Sequence, residues 1–421
     1  MLSKEELKRV LISQREAILK KPTGIEREVL SSVEKKIKLP HILVITGIRR
    51  SGKSTLLRQI IKRFYNDEDF YYINFEDERL LDFDAKDFDK VYETLIELFG
   101  EQKTFFLDEI QNVNRFETFV RRFYDSGFKF YITGSSARLL SRELGTKLTG
   151  RHLDITVKPF SFHEFLKLRG FEFEENMVYI TEKTARIKSY FDEYLIKGGM
   201  PEYLIYDDLE ILTRIYEDIV VKDIVVRYGI DNIAQLRELY QYLVTNVSNR
   251  FSFNSLKKLI GLGSVNTIKS YISYLEETYF AKAISKFDYS LKKQIINNKK
   301  IYVLDNGFIQ TVSAKLTKDF GIILENLVFN SLDNSHEIFY YSNKRECDFI
   351  LVKNRNINSI IQVAWELNNE NKEREIEGIT AAMKKFHLKT GIILTYDQED
   401  ELKIKSKRII VKPVWKWLVL G

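Results

Sequence analysis

A single cysteine, Cys347, stands among 421 residues, so no internal disulfide framework can form, and the expected setting is a reducing, cytoplasmic one. The five histidines show no metal-ligand spacing, which argues against a zinc site. No apolar run approaches the roughly 20 residues that cross a bilayer, so no membrane contact is expected. The opening Met-Leu-Ser-Lys-Glu-Glu lacks the apolar core of a signal peptide. Internal repeats and low-complexity tracts are missing too. Charge of one sign does not dominate: 66 basic residues oppose 60 acidic ones, and the net +6 permits contact with nucleic acid without demanding it. What is present is an ordinary globular balance, 44% hydrophobic and 30% charged, in a chain long enough for roughly two to four domains.

Glycine is scarce, 19 residues in all, which makes one stretch conspicuous. Thr46–Thr55 reads Thr-Gly-Ile-Arg-Arg-Ser-Gly-Lys-Ser-Thr, the complete P-loop spacing of Gly47, four residues, then Gly52, Lys53 and Ser54. Ile42–Ile45 before it reads as a buried parallel strand, and Leu56, Leu57, Ile60 and Ile61 after it line one face of a helix. In that context the backbone of Gly47, Ile48, Arg49, Arg50, Ser51, Gly52, Lys53, Ser54 and Thr55 wraps phosphate. Lys53 is expected to reach the β- and γ-phosphates and Ser54 to ligate Mg²⁺, so the cofactors are ATP and Mg²⁺.

Phe70–Phe75 reads as a second strand, and Thr104-Phe-Phe-Leu-Asp-Glu109 as a third that ends in two carboxylates. Asp108 is the candidate for the Mg²⁺ shell and Glu109 for the base that polarises water. Phe128–Ile132 is a fourth strand, expected between the P-loop strand and the Asp-Glu strand; Thr133 and Ser135 at its end are candidates to sense the γ-phosphate. Arg138, Arg142 and Arg151 follow. Arg151, just before the fifth strand His152–Val157, is the preferred source of transition-state charge, for its own subunit or a neighbour. Upstream, Ser3-Lys-Glu-Glu6 and Thr23-Gly-Ile-Glu26 read as capping boxes opening two helices that pack on this core.

Beyond Pro159 a helical stretch runs to about Tyr228, interrupted by Lys197-Gly-Gly-Met-Pro201. A lid over a nucleotide base would use such a turn, with Gly199 allowing close approach and Pro201 fixing the bend; a plain interhelical turn fits the spacing equally. From Ala234, helices at Ala234–Thr245, Phe253–Ile260 and Val265–Tyr279 precede a two-stranded hairpin of Ala281–Phe287 and Lys299–Leu304. That order is a winged helix, with Asn266, Thr267, Lys269 and Ser270 and the basic Lys292–Lys300 segment as candidate DNA contacts, or else a protein-interaction or packing module.

The final stretch, from Gly321, turns α/β again and resembles the restriction-endonuclease-like fold. Such nucleases hold Mg²⁺ with a helix Glu, a strand Asp and an Asp/Glu-x-Lys pair. Glu325 and Asp348 match the first two, but Gln362 and Ala364 stand at the third, and Glu366 is the one carboxylate left to substitute. The expectation is a degenerate nuclease fold kept for binding or assembly.

Taken together, Gly47–Thr55, Tyr72-Ile-Asn-Phe-Glu-Asp77, Leu107–Gln111, Ile132–Ser136, Leu148–Arg151, Gly198–Pro201, Asp218–Tyr228 and Lys300–Asp305 resemble the archaeal and bacterial AAA-type ATPases with a C-terminal restriction-endonuclease-like domain. The resemblance implies an α/β fold with a P-loop NTPase (AAA+) core. The segments expected are N-terminal helices at 1–37, the core at 38–158, a helical lid at 159–230, a winged helix at 231–305 and the nuclease-like domain at 306–421. Two functions fit: a Mg²⁺-dependent ATPase that drives the last two modules, on DNA or in a homo-oligomer, and a slow nucleotide-gated switch that docks a protein partner.

Overall fold

The computed structural model describes residues 3–134, 148, 150–313, 319–332 and 335–421. The chain forms two units: residues up to Pro159 together with Glu277–Tyr279, and Phe160–Glu276 together with Phe280–Gly421. Five expected segments therefore fold as two bodies.

The first unit is built on a parallel sheet of order β2-β3-β4-β1-β5, formed by β1 (Ile42–Thr46), β2 (Tyr71–Asn74), β3 (Thr104–Asp108), β4 (Lys129–Gly134) and β5 (His152–Thr156). Every residue of β1 and β3 is buried, because both faces of the sheet are covered. Alternation assigns the faces. Ile42, Val44, Phe105 and Leu107 join one core with α1 (Lys4–Lys20), while Leu43, Ile45 and Phe106 join the other with α2 (Leu30–Ile37) and α3 (Lys53–Phe64). The fourth strand lies between the P-loop strand and the Asp-Glu strand, as expected.

The two capping boxes fare differently. Ser3 and Glu6 bond reciprocally at the start of α1. Thr23 caps nothing: α2 begins at Leu30, and the 23–27 backbone instead lies along α3, where Gln59 Nε2 donates to the carbonyls of Thr23 (2.8 Å) and Ile25 (2.7 Å). A tertiary partner overrides the local signal there.

The second unit opens with helices Phe162–Leu168, Thr181–Lys197, Pro201–Tyr206 and Leu209–Asp218, the last running on into a π-helical turn at Ile219–Val226. Helices Ile233–Thr245, Phe253–Ile260 and Val265–Glu277 follow, with Ser252 capping the second through a complete capping box. Its sheet has nine strands in the order β13-β14-β12-β11-β10-β9-β7-β8-β6. They are β6 (Arg250–Phe251), β7 (Ala281–Lys286), β8 (Lys299–Val303), β9 (Glu337–Ser342), β10 (Glu346–Lys353), β11 (Asn356–Ala364), β12 (Thr390–Thr395), β13 (Asp400–Ile404) and β14 (Lys407–Pro413).

One correction follows. The hairpin expected as the two-stranded wing is continuous with the C-terminal sheet, since β7 pairs in parallel with β9 through Ser285↔Phe339 and Lys286↔Tyr340. No domain boundary falls at residue 305. Among the described residues no helix is long and apolar enough to cross a membrane.

Candidate nucleotide site

The loop after β1 is shaped by two glycines. Gly47 sits at φ +146°, where a Cβ would lie 2.2 Å from the Val157 carbonyl oxygen. Gly52 sits at φ +97° and hands the chain to α3, whose first N–H groups have no partner within the helix. Arg50 also adopts a left-handed backbone. Lys53 is buried and folds back over the loop, donating to the carbonyls of Gly47 (3.3 Å) and Ile48 (3.2 Å). Beneath lies Arg27, a buried arginine that the sequence reading missed. It donates to the Ser51 carbonyl at 2.7 Å and to the Lys158 carbonyl at 2.6 Å, bracing the loop against the chain after β5.

The two carboxylates meet this loop from β3. Asp108 is buried and accepts hydrogen bonds from the hydroxyls of Thr133, Ser54 and Tyr72, the last at 3.2 Å. Burial raises its pKa, the charge of Glu109 adds to the rise, and the three hydroxyls oppose it. Glu109 takes a left-handed backbone, φ 52° and ψ 43°, a region that non-glycine residues seldom occupy. Its carboxylate lies 4.0 Å from Lys53 Nζ and accepts from the Gln111 amide. Thr133 joins the pair. Its hydroxyl donates to Asp108 and accepts from the Glu109 N–H at 2.9 Å.

These residues fit a nucleotide with its metal. Ser51 Oγ is buried in the loop without a protein partner, and Arg58 Nε on α3 is likewise unpartnered. Ser54 and Asp108, the expected metal pair, are already in contact. Tyr72 and Gln111, not expected at the site, lie inside the family-like stretches Tyr72–Asp77 and Leu107–Gln111, so position in a motif is the signal that points to them.

Three expectations stand apart. Ser135, with Arg138 and Arg142, lies outside the described residues. Arg151 is corrected: its carbonyl accepts from the Ile42 N–H, so it stands at the edge where β1 begins, while the P-loop follows where β1 ends. A five-residue strand separates them by roughly 15 Å. The guanidinium is held by Asp125 at 3.2 Å, so a role at the phosphate of its own subunit is ruled out by position. Gly199 and Pro201 are committed inside the second unit. A Cβ on Gly199 would meet the Phe160 carbonyl at 2.2 Å, its N–H donates to Asp305 Oδ2 at 2.6 Å, and Pro201 starts a helix. Close packing against Phe160 and Asp305 accounts for the glycine that the lid reading assigned to a base.

The nuclease-like positions are also accounted for. Asp348 on β10 and Glu325 on the helix Phe320–Ser331 come together, and Glu346 joins them. Gln362 turns its amide to Glu375 at 2.7 Å, Ala364 ends β11, and Glu366 lies exposed beyond it, accepting from Asn368 at 3.0 Å. No lysine stands beside Gln362 or Ala364 in the sequence, and the lysine of this site, Lys300, is supplied from β8. Burial and Asp348 push the Glu325 carboxyl up to about 7, against the pull of Lys300.

A parallel sheet of this order, with a P-loop after β1 and Asp-Glu at the end of β3, defines a P-loop nucleotide-binding domain. A family model for the AAA domain matches residues 39–166, and one for a domain of unknown function, DUF8612, matches 188–319. The chain belongs to the family of uncharacterized protein MJ1544 of Methanocaldococcus jannaschii, to which it is 36% identical across 99% of its own length and 96% of that protein. An uncharacterized protein of Haemophilus influenzae is 30% identical over 79% of this chain and 85% of its own. Distant likeness extends to two solved structures. Domain III of the Thermotoga maritima replication initiation protein DnaA gives 15% identity and a TM-score of 0.24, covering 61% of this chain and 95% of that one. The ADP form of the Aeropyrum pernix ORC2 protein gives 11% and 0.33, covering 74% and 98%.

Proposed function

We propose that the protein is a Mg²⁺-dependent ATPase whose nucleotide cycle acts on the second unit as one block. One observation carries the ATPase part of this reading: the Thr133 hydroxyl donates to the Asp108 carboxylate and accepts the Glu109 backbone N–H while Ser54 bonds Asp108, so the metal-side carboxylate and the backbone that carries the water-side one are fixed together. Lys53 and the loop N–H groups bind the phosphates. Ser54 and Asp108 hold Mg²⁺, which when bound supplies Lewis-acid polarisation of the phosphoryl oxygens. Glu109 orients water and accepts its proton.

The helices and hairpin of residues 233–303 follow a winged-helix order, which supports DNA as a partner. Asn266, Lys269 and Ser270 are exposed on the third helix, and Lys292 and Lys293 are exposed on the short helix Leu291–Ile296 that joins β7 to β8. Nuclease activity is not part of the proposal. A second reading, the slow switch that docks a protein, draws support from Gln111, which engages the Glu109 carboxylate that must face water.

ATP turnover and nucleotide affinity of two variants test the site. Lys53→Ala is expected to weaken nucleotide binding. Glu109→Gln is expected to keep binding and slow hydrolysis by about a hundredfold, the scale of a lost general base. Wild-type turnover in Glu109→Gln would remove Glu109 from the role. Turnover that is slow and indifferent to DNA would favour the switch.

A further inference from the structure

The restriction-endonuclease-like arrangement of the C-terminal strands implies a divalent metal among Glu325, Asp348 and their neighbours, and the side chains present do not fit one. Lys300 Nζ lies 3.1 Å from Glu325 Oε1, 2.5 Å from Glu346 Oε1 and 3.2 Å from Asp348 Oδ1. An ammonium group has three N–H donors, and here each finds a different carboxylate. Two of the three remaining oxygens are engaged as well: Glu346 Oε2 pairs with Arg250 at 3.2 Å, and Asp348 Oδ2 accepts from the Val363 N–H at 3.0 Å. Tyr302 donates to Glu325 Oε1 at 2.6 Å. Lys300 is 2% exposed and sits on β8 between β6 and β7, so its backbone is fixed by strands on both sides. Mg²⁺ requires oxygen ligands at about 2.0–2.1 Å in a nearly octahedral shell. An ammonium at the centre of the carboxylates fills that shell and repels the ion. Among the described residues no group of three or more His, Cys, Asp or Glu side chains is arranged to hold a metal.

We propose that the Lys300 ammonium is the resident cation of this site, standing where a nuclease-type fold would hold its metal, and that the cluster is thereby turned from a reaction centre into an internal bolt between β8, β10 and the helix Phe320–Ser331. The loss of Asp/Glu-x-Lys at Gln362 and Ala364 is then one half of the change. The other half is a lysine entering from a strand far away in sequence.

The test is Mn²⁺ titration of the full chain without nucleotide, read by electron paramagnetic resonance, with circular dichroism to establish folding. Wild type is expected to show no Mn²⁺ binding that depends on Asp348, judged against Asp348→Asn. Lys300→Ala removes the ammonium together with the stem that carries it and leaves three mutually repelling carboxylates free to draw in on an ion, so it is expected to gain one bound Mn²⁺, which Lys300→Ala with Asp348→Asn loses again. Added Mn²⁺ should also raise the melting temperature of Lys300→Ala by more than it raises that of wild type. If Lys300→Ala does not fold, Lys300→Ala with Glu346→Gln relieves the repulsion and keeps two ligands, with the same gain expected. Asp348-dependent Mn²⁺ binding by wild type overturns the proposal, as does a folded Lys300→Ala chain that gains none. Should both variants fail to fold, the wild-type comparison decides alone.

Discussion

A hydroxyl has one proton to give and lone pairs to accept with, and Thr133 uses both sides, donating to Asp108 and receiving the Glu109 N–H. Valine has nearly the same shape and does neither. Thr133→Val is expected to leave nucleotide affinity within about threefold and to cut ATP turnover by at least about tenfold, the factor that ~1.4 kcal/mol of misplacement costs. Steady-state hydrolysis beside nucleotide titration measures this; unchanged turnover would mean that the two carboxylates hold their positions without the threonine. At this scale the sequence disclosed residue types better than their connections. Lys53, Ser54, Asp108 and Glu109 were legible because the P-loop spacing and an apolar strand ending in Asp-Glu are short-range patterns. Arg27 and Lys300 were not legible: each acts on partners that the fold alone brings near, across 24 residues for Arg27 and Ser51 and 48 for Lys300 and Asp348.

Elements are held by side chains that serve two of them at once. Asp305 accepts the Gly307 N–H at 2.9 Å, capping the helix Asn306–Val312, and accepts the Gly199 N–H at 2.6 Å, pinning the turn before Pro201. Burial pushes its carboxyl from 3.8 up to about 6, and the two N–H bonds oppose that rise. A folded-state pKa above the unfolded one means that the native state binds the proton more tightly. The contribution to stability is therefore full below about pH 3.8 and fades as pH rises through about 6, by on the order of 2–3 kcal/mol. In Asp305→Asn that slope should vanish, while one lost acceptor costs about 1–3 kcal/mol at every pH. Melting temperatures from pH 4 to 7 report both effects, and a slope that persists in Asp305→Asn would assign it to another group. The same scale shows why element types were readable and their partnerships less so. All five strands of the first sheet were expected from apolar runs, whereas β13 and β14 were missed, since Asp400–Ile404 alternates with charged residues at an exposed edge. The Thr23 capping box failed because Gln59 claims that backbone.

For the molecule as a whole, the exposed lysines of the second unit make the partner question measurable. If Lys269, Lys292 and Lys293 meet DNA phosphates, affinity should fall linearly with salt on logarithmic axes, and replacing all three by alanine should flatten the slope by roughly one unit per lost contact. Fluorescence anisotropy across a salt series measures it. No binding at low salt would remove DNA and leave the docking switch. The continuous nine-stranded sheet was the least legible feature, because the β7–β9 pairing joins residues 285–286 to 339–340 and no local pattern announces so distant a neighbour. It also bears on heredity. Recombination between relatives tolerates breakpoints where few contacts are severed, and a breakpoint between Phe287 and His336 would ask two ancestrally unrelated strand edges to zip together in register. The hairpin and the C-terminal strands should therefore be inherited as one indivisible cassette, and chimeras spliced within that interval should be recovered as insoluble chains.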